Sequence, residues 1–398
     1  MKFHKVLLDG IERALSAIFL EKRHADKVVD GTLRVQTKWG SRDRKFFAET
    51  VYDLVRNFRR DSLRALGKDP CEVELMPADL QTIVYLYMQD RFGHPPEGPK
   101  IEIKTKELTR AQELSFPDWL WEKCDLACGE VQWAAMAPAL SQQAPVFLRT
   151  NTLKTERNSL QPMLHAREVV ADYVKGAPDA LQLKVRKNVF QLLEFKEGLY
   201  EVQDAGSQMI APFLKVKPGD RVIDACAGAG GKSLHLAALM KNKGLIICMD
   251  IHEWKLAELK IRARRAGAHI IETRLIENSK VIKRLTDSAD AVLLDVPCTG
   301  LGVLRRNPDT KWKLTSEKLA ELTETQKMIL QSYSRMVKPG GFLVYATCSI
   351  LPDENQLQVK AFLDLSDEWD LEEEKNLVPG ENDFDGFYMA RLRRKLKH

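Results

Sequence analysis

A chain of 398 residues exceeds what one hydrophobic core usually organises, so two or three domains are expected. Its 44% hydrophobic and 29% charged residues exclude a disordered polypeptide, and seven cysteines without ladder-like spacing exclude a disulfide scaffold. The formal charge of +5, from 61 Lys and Arg against 56 Asp and Glu, does not establish nucleic-acid binding, although the excess can still gather on one face.

Phe3, Val6, Leu7, Ile11, Leu15, Ile18 and Phe19 recur at helical spacing and predict an amphipathic helix over residues 3–19. Asp9, Glu12 and Arg13 interrupt it where a signal peptide needs an unbroken apolar core. No window approaches the roughly 18 apolar residues of a spanning helix, so a cytoplasmic protein with no membrane partner is expected. A second helix follows Gly40, with Ser41 as its N-cap, and buries Phe46, Phe47, Val51, Leu54, Val55 and Phe58. A third runs from Ala78 to Phe92 and stops at Gly93, before the turn-rich His94-Pro-Pro-Glu-Gly-Pro99. Residues 1–115 therefore form one all-helical domain in this reading.

Residues 116–203 mix helices with short strands at 145–149, 181–185 and 198–202, as in a compact α+β module. Cys124 and Cys128 within it have no second pair or histidine cluster, so they are structural and no metal is expected. From 204 to 398, strand-like runs at Arg221–Asp224, Leu245–Asp250, His269–Arg274, Ala291–Asp295 and Phe342–Thr347 alternate with helical ones. That alternation predicts an α/β fold with a mostly parallel sheet covered on both faces.

The first of these strands runs into Asp224-Ala-Cys-Ala-Gly-Ala-Gly-Gly-Lys232 and then a helix. Gly228, Gly230 and Gly231 let a ligand approach the backbone, and the helix start offers unpaired N–H groups. Asp250 ends the next strand, where a carboxylate accepts both hydroxyls of a ribose, so the turn suits a nucleoside-containing cofactor. A P-loop is the strongest rival, because Gly231-Lys232-Ser233 matches its end, but Cys226 stands where its first glycine belongs. A purely structural strand-to-helix turn is the bland alternative.

Two cysteines follow apolar runs that end on the same side of the sheet, in Asp295-Val-Pro-Cys298 and Thr347-Cys348-Ser349. Ligands of open α/β sheets sit beyond the carboxyl ends of the strands, so these thiols face the site, whereas Cys226 and Cys248 read as small buried hydrophobes. A thiolate adds to carbon 6 of a pyrimidine and makes carbon 5 nucleophilic, with Lys232 and the polar Thr347-Cys348-Ser349 setting favouring ionisation. A zinc deaminase would need a second cysteine after Pro297-Cys298, and an amino-group methyltransferase a second proline and an aromatic residue after Asp295.

With these motifs the sequence resembles the Sun/Fmu-type RNA cytosine-5 methyltransferases over residues 117–393. The cofactor loop 224–232, Asp295-Val-Pro-Cys-Thr-Gly300 and Ala346-Thr-Cys-Ser349 carry the likeness. Gly302-Val-Leu-Arg-Arg-Asn-Pro-Asp309, Gln203-Asp204 with Ser207-Gln208, and Phe384-Asp-Gly-Phe387 extend it. Leu148-Arg-Thr-Asn-Thr-Leu-Lys154 is similar to the opening of that family's small RNA-binding module, and the helical N-terminus with Gly40-Ser-Arg-Asp-Arg44 resembles a NusB-type domain. Ala229 stands where the family usually has proline.

The resemblance implies a Rossmann-like methyltransferase domain at 204–398, S-adenosylmethionine as methyl donor and cytosine in RNA as acceptor. It implies Cys348 as nucleophile, Asp295 as the group that hydrogen-bonds and protonates the ring near N3, Cys298 as helper in proton loss and enzyme release, and Lys232 as steadying charge. Cys226, Ala227, Gly228, Ala229, Gly230, Gly231, Lys232, Asp250, Asn278 and Asp295 would line the donor, with Glu277 an alternative to Asn278. Ribosomal RNA is the expected partner and a monomer the expected state, with transfer RNA as an alternative substrate. A ribosome-assembly factor that binds RNA without catalysis is the alternative activity. Arg305, Arg306 and the run Arg391–Lys397 are candidate phosphate contacts beside the plain reading of a solvated surface.

Overall fold

The described residues of the computed structural model, 4–105 and 107–396, divide into two compact units. One comprises residues 1–143 with 304–315, and the other residues 144–303 with 316–398.

Helices Lys5–Phe19, Ala25–Val35, Ser41–Arg56, Phe58–Leu66 and Pro77–Phe92 build the first unit around Ile11, Leu15, Phe47, Leu54, Ile83 and Val84. The expected contribution of Phe3 lies outside the described residues. Gly40, not Ser41, is the N-cap of the second predicted helix, and Ser41 is already helical, so its hydroxyl caps nothing. Gly93 ends Pro77–Phe92 at φ 82°, a left-handed turn that suits glycine. Ala25–Val35 was not predicted, and Phe58, expected in the stripe of the second predicted helix, instead opens the separate helix Phe58–Leu66; burial of Val28, Val29, Phe58 and Leu63 holds these two helices.

Segment 304–315 is packed into this same unit. Asp309 accepts the Ala25 N–H at 3.0 Å, the buried Lys311 ammonium donates to the Arg56 carbonyl at 2.8 Å, and the Trp312 indole donates to the Val55 carbonyl at 2.8 Å. Arg305, an expected phosphate contact, is instead buried, and its carbonyl accepts from Arg56.

In the second unit, β1 (Phe147–Thr150), β2 (Ala171–Tyr173), β3 (Ala180–Leu183) and β4 (Tyr200–Val202) form an antiparallel sheet in the order β2-β3-β1-β4. The remaining strands are β5 (Arg221–Asp224), β6 (Leu245–Asp250), β7 (Ile271–Leu275), β8 (Ala289–Asp295), β9 (Val337–Thr347), β10 (Trp369–Leu377) and β11 (Phe387–Arg394). They form one sheet in the order β10-β11-β9-β8-β5-β6-β7, parallel from β9 to β7 and antiparallel at β11 and β10. Alternate residues serve opposite faces: Val222, Ile246, Leu293 and Val344 join one core cluster, and Ile223, Ile247, Val292 and Leu343 the other. Burial on both faces explains why these strands read as continuous apolar runs.

The C-terminal basic run continues strand β11 as far as Arg394, with two of its arginines held internally and Arg393 and Lys395 exposed. Arg391 is buried and bonds the Phe213 carbonyl and the carboxylates of Glu372 and Glu373, and Arg394 is paired with Asp287 and Glu368. Lys397, at the end of that run, lies outside the described residues. Among the described residues no helix is long and apolar enough to cross a membrane.

Candidate active site

The turn after β5 is held open by glycine. Gly230 lies at φ 86°, and a Cβ there would stand 2.5 Å from Leu259 Cγ. Gly228 lies at φ 53° with nothing within 4 Å of where its Cβ would be, which leaves room for a ligand against the backbone. Helix Gly231–Leu239 then starts with its N–H groups at this end of the sheet.

Charged groups grip the backbone of that turn. Asp250 at the end of β6 accepts from the Gly228 N–H at 3.0 Å and from the His252 N–H at 2.8 Å. Arg262 donates to the Ala229 carbonyl at 2.8 Å, and Arg149 from β1 donates to the Gly231 carbonyl at 2.5 Å and to Gln203. Glu201 from β4 holds Arg262 at 2.9 Å and Arg265 at 2.5 Å. Burial lowers Arg149 to about 10, which still leaves it charged at neutral pH. Arg149 and Arg262 were not among the sequence-predicted residues; an arginine inside the apolar run Val146-Phe-Leu-Arg149 was the available signal.

Two acceptors suit S-adenosylmethionine. Asp224 is buried, accepts from Ser233 Oγ at 2.6 Å through one oxygen, and has no partner on the other, Oδ1, among the described residues. Burial raises its pKa to about 7. An ammonium beside Oδ1 would relieve that burial, as the amino-acid end of the donor would provide. Asp250 keeps lone pairs for ribose hydroxyls beyond its two backbone bonds. Cys226 and Ala227 lie in the same turn, and burial, then the neighbouring carboxylates, push the Cys226 thiol well above the usual range. Asn278 follows β7 and accepts the Lys280 N–H at 3.0 Å, capping helix Ser279–Lys283. Glu277 is its chain neighbour and is exposed.

Beyond the turn, the parallel pairing of β8 and β9 sets Asp295 opposite Ala346. The two cysteines that follow these strands therefore emerge side by side, with Cys298 Sγ 3.3 Å from Cys348 Sγ and 3.3 Å from the Cys348 N–H. The hydrogen bond to Cys348, burial, and the charges of Cys348 and Glu354 together push the Cys298 thiol well above the usual range. Lys232, at the start of helix Gly231–Leu239, donates to Asp295 at 2.5 Å. Burial pulls Lys232 down, but Asp295 outweighs it and the ammonium is stabilised. Cys298, Cys348, Asp295 and Lys232 thus gather at one end of the sheet beside the turn, while Asn278 stays at the β7 end.

The distant motif pieces close around the same loops. The Gly302 N–H donates to the Cys348 carbonyl at 2.9 Å, and the Gly386 N–H donates to the Gly302 carbonyl at 2.8 Å. A Cβ on Gly302 would stand 2.2 Å from the Gly386 carbonyl oxygen, so the two glycines permit this approach.

Residues 211–393 match the family model described as 16S rRNA methyltransferase RsmB/F, and residues 116–190 match a RsmF/B-like, ferredoxin-like domain. The probable ribosomal RNA small subunit methyltransferase B of Synechocystis sp. is 30% identical over 88% of this chain and 91% of its own length. The crystal structure of PH0851 is 24% identical, with a TM-score of 0.84, and covers 99% of this chain and 100% of that one. NSun6 from Pyrococcus horikoshii with SFG is 21% identical, with a TM-score of 0.65, over 71% of this chain and 99% of its own. The methyl donor is S-adenosylmethionine. By its sequence relationships and this glycine turn, the chain belongs to the RsmB/F family of S-adenosylmethionine-dependent RNA methyltransferases.

Proposed function

We propose that the protein methylates carbon 5 of a cytosine in small-subunit ribosomal RNA through a covalent bond to Cys348. One observation carries this reading: two thiols lie 3.3 Å apart at the ends of adjacent strands. The likeness of Ala346-Thr-Cys-Ser349 to the family's nucleophile motif makes Cys348 the member that adds to carbon 6, and the electron pair of the broken 5,6 double bond moves toward N3 and carbon 5. N3 takes a proton from the Asp295–Lys232 pair. S-adenosylmethionine supplies the methyl group that carbon 5 receives.

With Cys348 bonded to carbon, its hydrogen bond and charge no longer oppose loss of the Cys298 proton. Cys298 then releases that proton to solvent and takes the one on carbon 5. Cys348 leaves as thiolate, and the N3 proton returns to the Asp295–Lys232 pair. The sum is one methyl gained by the base and one proton released. The cytosine must be unpaired or extruded, because a stacked ring hides carbon 6 from a thiol. The names of the relatives support ribosomal RNA as the substrate, since the Synechocystis protein is described as a small-subunit ribosomal RNA methyltransferase.

Labelled S-adenosylmethionine with small-subunit and transfer RNA, followed by mapping of 5-methylcytosine, tests the substrate; label confined to transfer RNA overturns the ribosomal assignment. For the chemistry, Cys298→Ala should leave a donor-dependent protein–RNA band on a denaturing gel, since the ring is methylated but not released. Cys348→Ala should give neither band nor methylation. A band in Cys348→Ala that is missing in Cys298→Ala would assign the nucleophile to the other cysteine.

A further inference from the structure

Behind the two cysteines lies a carboxylate for which the mechanism above has no use. Glu354 follows β9 in a short 3-10 turn, Pro352–Glu354, and is fully buried. One of its oxygens accepts the Thr299 N–H at 2.8 Å and Gln326 Nε2 at 2.9 Å. The other accepts Thr299 Oγ1 at 2.5 Å and Ser349 Oγ. All four donors are neutral, and none of its hydrogen-bond partners is a cation. Thr299 is the chain neighbour of Cys298, and Ser349 is the chain neighbour of Cys348.

The same network reaches further into both loops. Gln326 Nε2 also donates to the Pro297 carbonyl at 2.9 Å, and the Tyr345 hydroxyl fixes the backbone of Glu354 at 2.7 Å. Asn355 donates to the Ser349 carbonyl at 3.0 Å and accepts from Thr347 Oγ1. A buried carboxylate is costly unless its lone pairs are filled, so one that gathers four donors from three segments keeps those segments in a single arrangement.

We infer that Glu354 is the positioning residue of the two-thiol site: it ties the Cys298 loop to the Cys348 loop and so fixes the distance between the sulfurs. This rests on the proposed roles of the two cysteines, but the geometric claim is testable without RNA. Chemistry at a fixed pair of atoms is sensitive to such support, because a displacement of about 1 Å can cost about a hundredfold in rate.

The variants are Glu354→Ala and Glu354→Gln in the full chain. Glutamine preserves the shape: its oxygen can take the place that accepts the two N–H donors, and its NH2 can face the two hydroxyls, which rotate to accept. Two measurements apply to each, the rate at which diamide drives a Cys298–Cys348 disulfide, read by peptide mapping, and kcat with KM for methyl transfer to RNA. Glu354→Ala should form the disulfide at least about tenfold more slowly and lose about a hundredfold in kcat with both KM values kept, the split expected of lost positioning. Glu354→Gln should recover at least about a tenth of the native value in both.

Native-like disulfide formation and kcat in Glu354→Ala, within about threefold, overturn the inference. Should that variant fail to bind S-adenosylmethionine, the double variant Thr299→Val with Ser349→Ala decides by the same thresholds. If the native protein forms the disulfide but no 5-methylcytosine, the proposed reaction fails, and the disulfide rates alone then judge Glu354.

Discussion

The glycine turn and the pair of cysteine loops meet the same difficulty with opposite charges. Each is irregular backbone at the carboxyl end of the sheet and must stay fixed without a ladder of strand hydrogen bonds. In the turn, the guanidiniums of Arg149 and Arg262 hold the carbonyls of Gly231 and Ala229 from outside. In the cysteine loops, the carboxylate of Glu354 holds N–H and hydroxyl donors from beneath. The signs follow from the backbone groups that each half leaves to be satisfied. Cations suit the turn because its Ala229 and Gly231 carbonyls need donors, whereas an anion suits the cysteine loops because Thr299, Gln326 and Ser349 present donors to it. The two halves should therefore fail separately.

The sharpest test of that separation is Asp250→Ala. It removes the carboxylate that braces the turn and that we assign to the ribose, so S-adenosylmethionine should bind about a hundredfold more weakly by calorimetry, the worth of one or two charge-assisted hydrogen bonds. Diamide should still join Cys298 to Cys348 at the native rate. Unchanged donor affinity would end the ribose assignment, and a slowed disulfide would show that the two halves are coupled.

Arg149→Met probes the same half from farther away. Methionine keeps most of the side-chain length in a buried strand but leaves the Gly231 carbonyl and Gln203 Oε1 without their donor, at a cost of about 1–3 kcal/mol. Donor affinity should fall about tenfold, consistent with part of that energy being expressed in the turn. The distance between the sulfurs, read by the same disulfide rate, should not change. Loss of both properties together would mean that β1 supports the whole sheet rather than the turn alone.

How much of this was legible in the sequence follows the same division. Strands β5 and β6 were located residue for residue: Leu245–Met249 is an uninterrupted apolar run closed by Asp250, and Val222-Ile223 is a short one closed by Asp224, each buried on both faces. The cysteine motifs were legible as motifs, and the α/β fold followed from the alternation of runs. Strand β10 was not, because Asp370-Leu-Glu-Glu-Glu-Lys-Asn376 is an exposed polar edge whose strand character comes from its pairing with β11. The basic tail misled for the complementary reason: Arg391 and Arg394 look like a surface run until the carboxylates of β10 and neighbouring loops are brought against them. Arg149 and Glu354 stayed hidden because their partners lie 82 and up to 55 residues away, beyond the reach of any local pattern.

The smallest expected effect concerns Asp224, and it distinguishes the donor's amino-acid end from its nucleoside end. With a folded pKa of about 7 against an ordinary value of 3.8, Asp224 holds a proton in the folded chain at pH values where the unfolded chain has released it. Its contribution to stability is therefore full below pH about 4, declines as the pH rises toward 7 and is flat above. An ammonium placed at Oδ1 favours the ionised form, so binding of S-adenosylmethionine should strengthen with pH where folding weakens. Between pH 6 and 7 the affinity should rise about fivefold, the change in the ionised fraction of a group with that pKa, and level off above. Methylthioadenosine, which carries the nucleoside without the amino acid, should bind with no such slope, and Asp224→Asn should flatten the slope for the full donor. An equal slope for both ligands would place the titrating group on the nucleoside side of the turn, beside Asp250, and would remove Asp224 from the donor site.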